Sequence, residues 1–115
     1  MAPVAYCQVQ VTAPTAEEAE RLGRLAVEGR LAACAQVSGP ISSTYRWQGR
    51  VTSSTEWMCT LKTSAPIVTR LTSVLRSAHS YEVPEIVVTA LVGGDEDYLG
   101  WIGAETATGV GGADG

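Results

Sequence analysis

The sequence lacks an apolar run long enough to cross a membrane, and it lacks an excess of basic charge. A transmembrane helix needs about 20 consecutive apolar residues, so we expect no membrane partner. The 115 residues include eight Lys or Arg and twelve Asp or Glu, which gives a net charge of −4. Binding to a phosphate backbone depends on positive charge, so we expect no nucleic-acid partner.

Cysteine is also scarce. The chain has Cys7, Cys34 and Cys59, an odd number without a CxxC pair. This pattern argues against a disulfide framework and against a structural zinc site. Met1-Ala2-Pro3 leads directly into a strand pattern, without the basic region of a signal peptide. We therefore expect a protein of a reducing compartment, most simply the cytoplasm.

Histidine occurs once, as His79. No spacing of nucleophile, base and orienting residue is evident around it, so a catalytic triad is not predicted. Gly93-Gly94 is not followed by the lysine of a phosphate-binding loop. The sequence therefore predicts that the protein is not an enzyme.

Hydrophobic periodicity predicts the order strand, helix, long hairpin, helix, strand and a final helix. Residues 4–12 alternate as a half-buried strand, and a capping box over residues 15–18 begins the first helix. The hairpin turns at Gln48-Gly49, and Ser64 is predicted to cap the second helix. A strand rich in branched residues follows over residues 85–92.

This order predicts an α+β fold, a ferredoxin-like split βαββαβ sandwich with both main helices on one face of an antiparallel sheet. The second and third strands form the long hairpin, and the last helix is appended at the C-terminus. The length suits a single domain, which we expect over residues 1–106. Glycine dominates the end of the chain, so residues 107–115 are predicted to be a flexible tail.

The predicted hairpin is longer than the helices that cover the sheet. Arms of about ten residues extend roughly 33 Å, whereas helices of about fourteen residues extend roughly 21 Å. The hairpin should therefore overhang, exposing Trp47, Trp57 and unpaired edges that favour association. Shorter arms, or bulges at Gly39-Pro40 and Ser53-Ser54, are the alternative. We favour an obligate oligomer.

Polar groups concentrate in the segment from residue 79 to residue 85, which joins the second helix to the last strand. Pro84 forces Val83 toward extended geometry and prevents a helix from continuing. Such junctions hold side chains on a rigid scaffold, where binding sites often lie. The alternative is an ordinary polar loop between a helix and a strand.

Five motifs stand in order between about residues 4 and 106: Glu28–Cys34, Ser43–Gly49, Leu61–Thr63, His79–Ile86 and Tyr98–Ile102. Together they resemble the CutA family, known as divalent-cation tolerance proteins. The resemblance implies a ferredoxin-like subunit and a tight homotrimer in which hairpin arms pair between subunits. It implies a part in tolerance of copper and other divalent ions, and no catalytic activity. Large aromatic residues are expected at the trimer interface, namely Tyr45, Trp47 and Trp57.

The resemblance also implies a metal site, although the chain departs from the family pattern around it. Copper-binding members can carry a second histidine and a cysteine where this chain has Ala78 and Val11, and the usual His-Pro-Tyr motif has Ser80 at its centre. Of that ligand set only His79 is present. We therefore expect copper or another divalent cation to bind weakly.

The expected metal ligands centre on the imidazole of His79, which suits copper and zinc alike. Glu82, Glu85 or Cys34 would complete the site, with a neighbouring subunit as one source of these ligands. Packing is the alternative role for Cys34, and solvated loop carboxylates are the alternative for the two glutamates.

The resemblance also implies that the subunit is similar in shape to the PII signalling proteins. This similarity leaves a second functional hypothesis open. A PII-like sensor would bind a small anion or metabolite in the clefts between subunits. Lys62, Arg30 and Tyr81 are the candidate ligand residues for such a cleft, together with His79.

Overall fold

Four strands and three α-helices form the part of the chain that the computed structural model describes, residues 4–107. The sheet order is β2-β3-β1-β4, and every neighbouring pair is antiparallel. A 3₁₀ turn, Ala65–Ile67, precedes the second helix. This arrangement confirms the predicted α+β fold. The elements are β1 (Tyr6–Ala13), α1 (Ala16–Glu28), β2 (Cys34–Trp47), β3 (Arg50–Ser64), α2 (Val68–Ala78), β4 (Ile86–Leu91) and α3 (Glu96–Ala107).

The hydrophobic core lies between the sheet and the helices α1 and α2. Alternation along β1 places Val9 and Val11 on the covered face, where both are fully buried. Leu22 of α1 and Leu71 and Leu75 of α2 complete the same core cluster. Each such side chain stabilises the fold by about 1.5–3 kcal/mol through burial. The apolar faces of the helices and of the sheet therefore meet in one core.

Helix α3 packs on a different part of the sheet. Its buried Ile102 is not a member of the main core cluster. Near its C-terminal end the hydroxyl of Ser64 donates to Thr106, which itself donates to the backbone oxygen of Ile102. Ser64 makes no capping hydrogen bond to the following helix, so the predicted cap at Ser64 is wrong. The short 3₁₀ turn lies between Ser64 and the start of α2.

Gly23 brings α1 into close contact with the sheet. A Cβ added at Gly23 would lie 2.8 Å from the Ala35 Cβ and 3.2 Å from the Cys59 Sγ. Real Cβ atoms essentially never approach another atom to 2.8 Å, and Ala35 sits on a strand that cannot yield freely. The unfavourable helix propensity of glycine is therefore offset by the packing of α1 on β2 and β3.

Gly23→Ala is expected to lower the free energy of unfolding by about 1–2 kcal/mol, because the new methyl group overpacks the interface. Gly100→Ala in α3 is the matched control, since nothing lies within 4 Å of a Cβ added there. The control should be stabilised by up to about 1 kcal/mol through helix propensity. Urea denaturation measures both variants. Adding Ala35→Gly should recover part of the Gly23→Ala loss, and two fully additive losses would contradict this packing.

The hairpin continues well beyond the rest of the sheet. β1 pairs with β3 only as far as Ala13 and Trp57, whereas β2 and β3 remain paired from Ile41 and Glu56 to the turn at Gln48 and Gly49. We call residues 41–56 the hairpin arm. Its seven residue pairs span roughly 20 Å at strand rise. The outer edge of β2, and the edge of β3 within the arm, have no strand partner in the described part of the chain.

The register of the hairpin shifts once, between Ser38 and Ile41. This is the bulge that the sequence left open at Gly39-Pro40. Ser53 and Ser54 keep regular pairing, so the second suggested bulge is absent from the described hairpin. A single bulge bends the strand without ending it, and β2 runs continuously through this bulge.

The predicted interface aromatics occupy two environments. Tyr45 and Trp47 lie on the hairpin arm, where Trp47 is 53% exposed. Trp57 lies at the base of the arm, is partly buried and packs against the core. The expectation that Trp57 is exposed is therefore wrong. Gly39 makes room for this indole, since a Cβ there would lie 2.6 Å from the Trp57 Cδ1.

Two boundary predictions concern the ends of the chain. α3 extends to Ala107, one residue beyond the predicted domain boundary at residue 106. The rest of the predicted glycine-rich tail, residues 108–115, lies outside the described residues. None of the helices between residues 4 and 107 is long and apolar enough to span a membrane.

Candidate functional site

The segment from residue 79 to residue 85, here called the junction, leaves α2 and enters β4. Its first residue ends the helix: His79 is the C-terminal cap of α2, and its backbone N–H donates to Arg76. The extended backbone of His79 turns the chain across the end of β1. The imidazole is fully buried beneath this turn.

Both ring nitrogens of His79 have protein partners. Nε2 lies 2.6 Å from the backbone oxygen of Thr12, and Nδ1 lies 3.0 Å from the backbone nitrogen of Tyr81. Because a carbonyl only accepts and an amide N–H only donates, Nε2 carries the proton and Nδ1 accepts. The neutral ring is then fully satisfied. A metal would have to displace one of these partners.

Tyr81 connects the junction to the base of the hairpin arm. Its hydroxyl donates to the Glu56 carboxylate at 3.0 Å, and its ring lies 5.0 Å from the His79 ring. Burial, followed by the hydrogen bond to Glu56, raises the pKa of Tyr81 to about 12. The phenol therefore stays protonated at neutral pH and keeps donating. Glu56 itself is only 6% exposed.

A cleft of about 830 Å³ separates the junction from the hairpin arm. Glu82 and Glu85 line it from the junction, and Tyr45 and Trp47 line it from the arm. Glu56 closes its base. We call this space the junction cleft. It combines aromatic faces with carboxylates, and the described residues that line it include no lysine, arginine or histidine.

The predicted metal ligands are only partly brought together. His79, Glu82 and Glu85 share the junction, but no three His, Cys, Asp or Glu side chains within residues 4–107 are grouped closely enough to hold a metal ion. Cys34 lies elsewhere, at the start of β2 beside Tyr98, with 3.4 Å between its sulfur and the phenol oxygen. In the sheet, Cys34 pairs with Lys62, whereas Thr12, the residue that contacts His79, pairs with Met58. Lys62 and Met58 are four residues apart on β3, which is roughly 13 Å at strand rise.

The other two cysteines are packing residues. Burial raises the pKa of Cys7. Burial, together with the nearby Cys34, raises the pKa of Cys59 to about 11. Both thiols are therefore protonated at neutral pH and are poor metal ligands. All three cysteines are free.

The residues predicted for a PII-like cleft are separated within one subunit. The hydroxyl of Tyr81 donates a hydrogen bond to Glu56 on β3. Lys62 lies six residues beyond Glu56 on the same strand, which is roughly 20 Å at strand rise. Lys62 bonds Gln36 at 3.4 Å. Arg30 turns toward α3, where it donates to the backbone oxygen of Ala104 at 3.2 Å. These placements give the sensor hypothesis no support.

The order of motifs along this fold matches a known family. A family profile described as "CutA1 divalent ion tolerance protein" matches residues 7–105. The chain belongs to the CutA1 family. The divalent-cation tolerance protein CutA of Thermus thermophilus is 36% identical over 98 residues, which are 85% of this chain and 95% of that protein. The mouse protein CutA is 37% identical over 92 residues, 80% of this chain and 52% of its own length.

Solved CutA1 structures share the fold. The Thermus thermophilus protein superposes with a TM-score of 0.86 at 35% identity, covering 88% of this chain and 98% of that one. CutA1 from Oryza sativa gives a TM-score of 0.86 at 33% identity, covering 90% and 94%. The chain spans about half the length of the plant and mammalian relatives that it matches. Names in the family describe tolerance of divalent cations, not an enzymatic reaction.

Ser80 stands where the family resemblance leads us to expect a proline, and its hydrogen bonds hold the turn. The Ser80 backbone N–H and hydroxyl both donate to the Glu18 carboxylate, at 2.9 and 2.7 Å. A proline has no N–H to donate. Two charge-assisted hydrogen bonds to α1 thus hold a turn that a proline ring would otherwise restrict.

Glu18 was predicted to complete a capping box on α1, and only half of that box forms. Thr15 accepts from the Glu18 backbone N–H at 3.1 Å, as predicted. The Glu18 side chain turns away to Ser80, and it lies 3.5 Å from the His79 Nδ1. Burial acts to raise the pKa of Glu18, but the two hydrogen bonds from Ser80 and the nearby charge of Arg21 outweigh it and lower the pKa.

Glu18→Gln is expected to destabilise the protein by about 1 kcal/mol at pH 7, because neutral amide acceptors make weaker bonds than a carboxylate. Because the pKa of Glu18 is lowered in the folded state, its carboxylate stabilises the fold at pH values above its ordinary pKa of 4.5. This contribution to stability is lost as the pH falls through the folded-state pKa. The difference between wild type and variant should therefore shrink below pH 4.5. Urea denaturation at several pH values measures it.

The control for Glu18→Gln is Glu20→Gln, an exposed position on the same helix. It should leave the pH dependence of stability unchanged. A Glu18→Gln deficit that stays constant to pH 3 would show that the carboxylate charge is not what holds the junction.

Sequence reasoning missed Glu18, Thr12 and Glu56 as residues of this site. Thr12 acts through its backbone oxygen, which no side-chain pattern reveals. Glu18 had a complete local explanation as a capping residue. Glu56 left no usable signal, since strand alternation places it on the face opposite its neighbour Trp57, where a carboxylate is ordinary.

Proposed function

We propose that this chain acts in tolerance of divalent cations as a homotrimer, and that it binds copper or another divalent ion only weakly. Membership in the CutA1 family is the observation that carries the proposal. The role is non-catalytic.

The hairpin arm supports assembly. Its strands present unpaired backbone donors and acceptors, with the exposed rings of Tyr45 and Trp47 beside them. Long free edges of this kind are usually blunted or covered in stable proteins. Pairing with the sheet of a second subunit would cover them, and the family resemblance gives three as the number of subunits.

The geometry of His79 supports weak rather than tight binding. A metal at either ring nitrogen competes with the Thr12 oxygen or the Tyr81 N–H. Glu82 and Glu85 remain the nearest predicted carboxylate ligands. Because Cys34 lies away from the junction in its own subunit, its participation requires a neighbouring subunit.

Calorimetric titration of copper and of zinc into the full chain tests the metal part of the proposal. The expected dissociation constants are micromolar or weaker, corresponding to roughly −8 kcal/mol or less favourable. Nanomolar binding would contradict a weak site, and no binding of either ion would refute metal binding. Copper sensitivity of cells that lack the protein tests the tolerance role separately, since unchanged growth on copper would refute it.

Three free thiols suit a reducing compartment, and we include the cytoplasm in the proposal. Cell fractionation that placed the protein outside the cytoplasm would overturn this part alone.

A further inference from the structure

The junction cleft contains a nearly buried carboxylate to which the described residues supply no counter-charge. Glu56 is 6% exposed, and its hydrogen-bonding partner is the neutral hydroxyl of Tyr81. No ion pair joins it to any residue in the described part of the chain. Buried charges in proteins are normally paired or bound to a cation. Glu56 is therefore a carboxylate for which residues 4–107 of its own subunit supply no cation.

The other charges around the cleft have the same sign. Glu82 and Glu85 line it together with Glu56, and no basic side chain is found among the described lining residues. Arg76 reaches the backbone oxygen of Glu82 from α2 at 3.5 Å, but it does not line the cleft. The space is electrostatically selective for a positively charged occupant.

The size and walls of the cleft favour an organic cation over a bare metal ion. These carboxylates are not grouped closely enough for one ion to bind them together. A volume of about 830 Å³ lies within the range of about 300–1,000 Å³ typical of small-molecule sites. Tyr81 contributes an aromatic ring from the junction, and the face of such a ring attracts ammonium groups.

We propose that the junction cleft binds a linear polyamine. Ammonium groups separated by methylene chains can reach dispersed carboxylates, with one at Glu56 and others near Glu82 and Glu85. The methylene segments then lie along the ring of Tyr81. Glu56 is the anchor because it is the most deeply buried of the three carboxylates, and Tyr81 positions it through the hydroxyl hydrogen bond.

Calorimetric titration of spermidine into the full chain, at an ionic strength matched with sodium chloride, tests this site. We expect saturable binding of one spermidine per subunit and at least tenfold weaker binding to Glu56→Gln. This variant keeps an acceptor for the Tyr81 hydroxyl and removes only the negative charge. Glu96→Gln, at an exposed position on α3, is the matched control and should change affinity less than twofold.

Tyr81→Phe provides a second variant if Glu56→Gln does not fold. It removes the hydroxyl and keeps the ring, so it should weaken spermidine binding severalfold without abolishing it. Amide chemical shifts of the wild type should change in the junction and at the arm residues that face it. Shift changes confined to α3 would locate the spermidine elsewhere and overturn the proposal.

Three further results would also overturn it. The first is that spermidine fails to bind. The second is equal binding to wild type, Glu56→Gln and Glu96→Gln, as expected for general attraction to an acidic protein. The third is a change of oligomer mass in Glu56→Gln by light scattering, which would show that a neighbouring subunit supplies the cation. Copper titrations are scored separately, so failure of this site leaves the proposed tolerance function standing.

Discussion

His79→Ala should lower the free energy of unfolding by about 2–4 kcal/mol, since it removes a buried ring and leaves two buried backbone groups without partners. The Thr12 oxygen and the Tyr81 N–H lose their hydrogen bonds at 2.6 and 3.0 Å. Thermal and urea denaturation measure the loss. A change below about 0.5 kcal/mol, the scale of an ordinary surface substitution, would show that the ring does not hold the junction.

His79→Gln is the matched control for this prediction. Its amide keeps one donor and one acceptor, so it should recover part of the lost stability. It also separates the two roles of His79, because a loss of copper affinity in His79→Ala alone could follow from unfolding of the junction. Copper binding that disappears in a folded His79→Gln protein identifies the imidazole as a ligand. Equal binding by wild type and His79→Gln removes His79 from the metal site.

Trp47→Ala should weaken subunit association by at least about thirtyfold, because large aromatic residues at interface centres commonly contribute about 2 kcal/mol or more. The indole is 53% exposed in the single subunit, so its removal costs the subunit little. Light scattering over a dilution series measures the association. The wild type is expected to have the mass of a trimer at micromolar concentration.

Trp101→Ala is the control, since this indole is 41% exposed but lies on α3, away from the hairpin arm. It should leave association within a few-fold of wild type. A wild-type monomer at micromolar concentration would refute the assembly itself. Equal weakening by both tryptophan variants would refute the specific role of the arm.

Much of the fold was predictable because periodicity carries it. Alternation along β1 and the helical stripes of α1 and α2 placed Val9, Leu22 and Leu75 in one core. Periodicity assigns a side chain to a face but not to a depth, and Trp57 shows the difference. The missing Cβ of Gly39 lets that indole fold against the base of the hairpin, a contact that depends on the tertiary structure.

The site was predictable in position more than in chemistry. The clustering of polar residues located the junction, and His79 is its centre. The partners that satisfy His79 come from β1 and from the junction backbone. The Glu18 contact with Ser80 joins residues 62 positions apart. Long-range pairs of this kind leave no periodic trace, so the sequence indicated where the site is but not which of its groups are already engaged.

The position of β1 between β3 and β4 has a consequence for biosynthesis. β1 is translated before either of its neighbours, and its pairing with β4 ends only at Leu91. A nascent chain that has not reached that residue holds a central strand with one side open. Sheet closure is therefore a late event on the ribosome, and until then the exposed strand is a target for chaperones and for misassociation between chains.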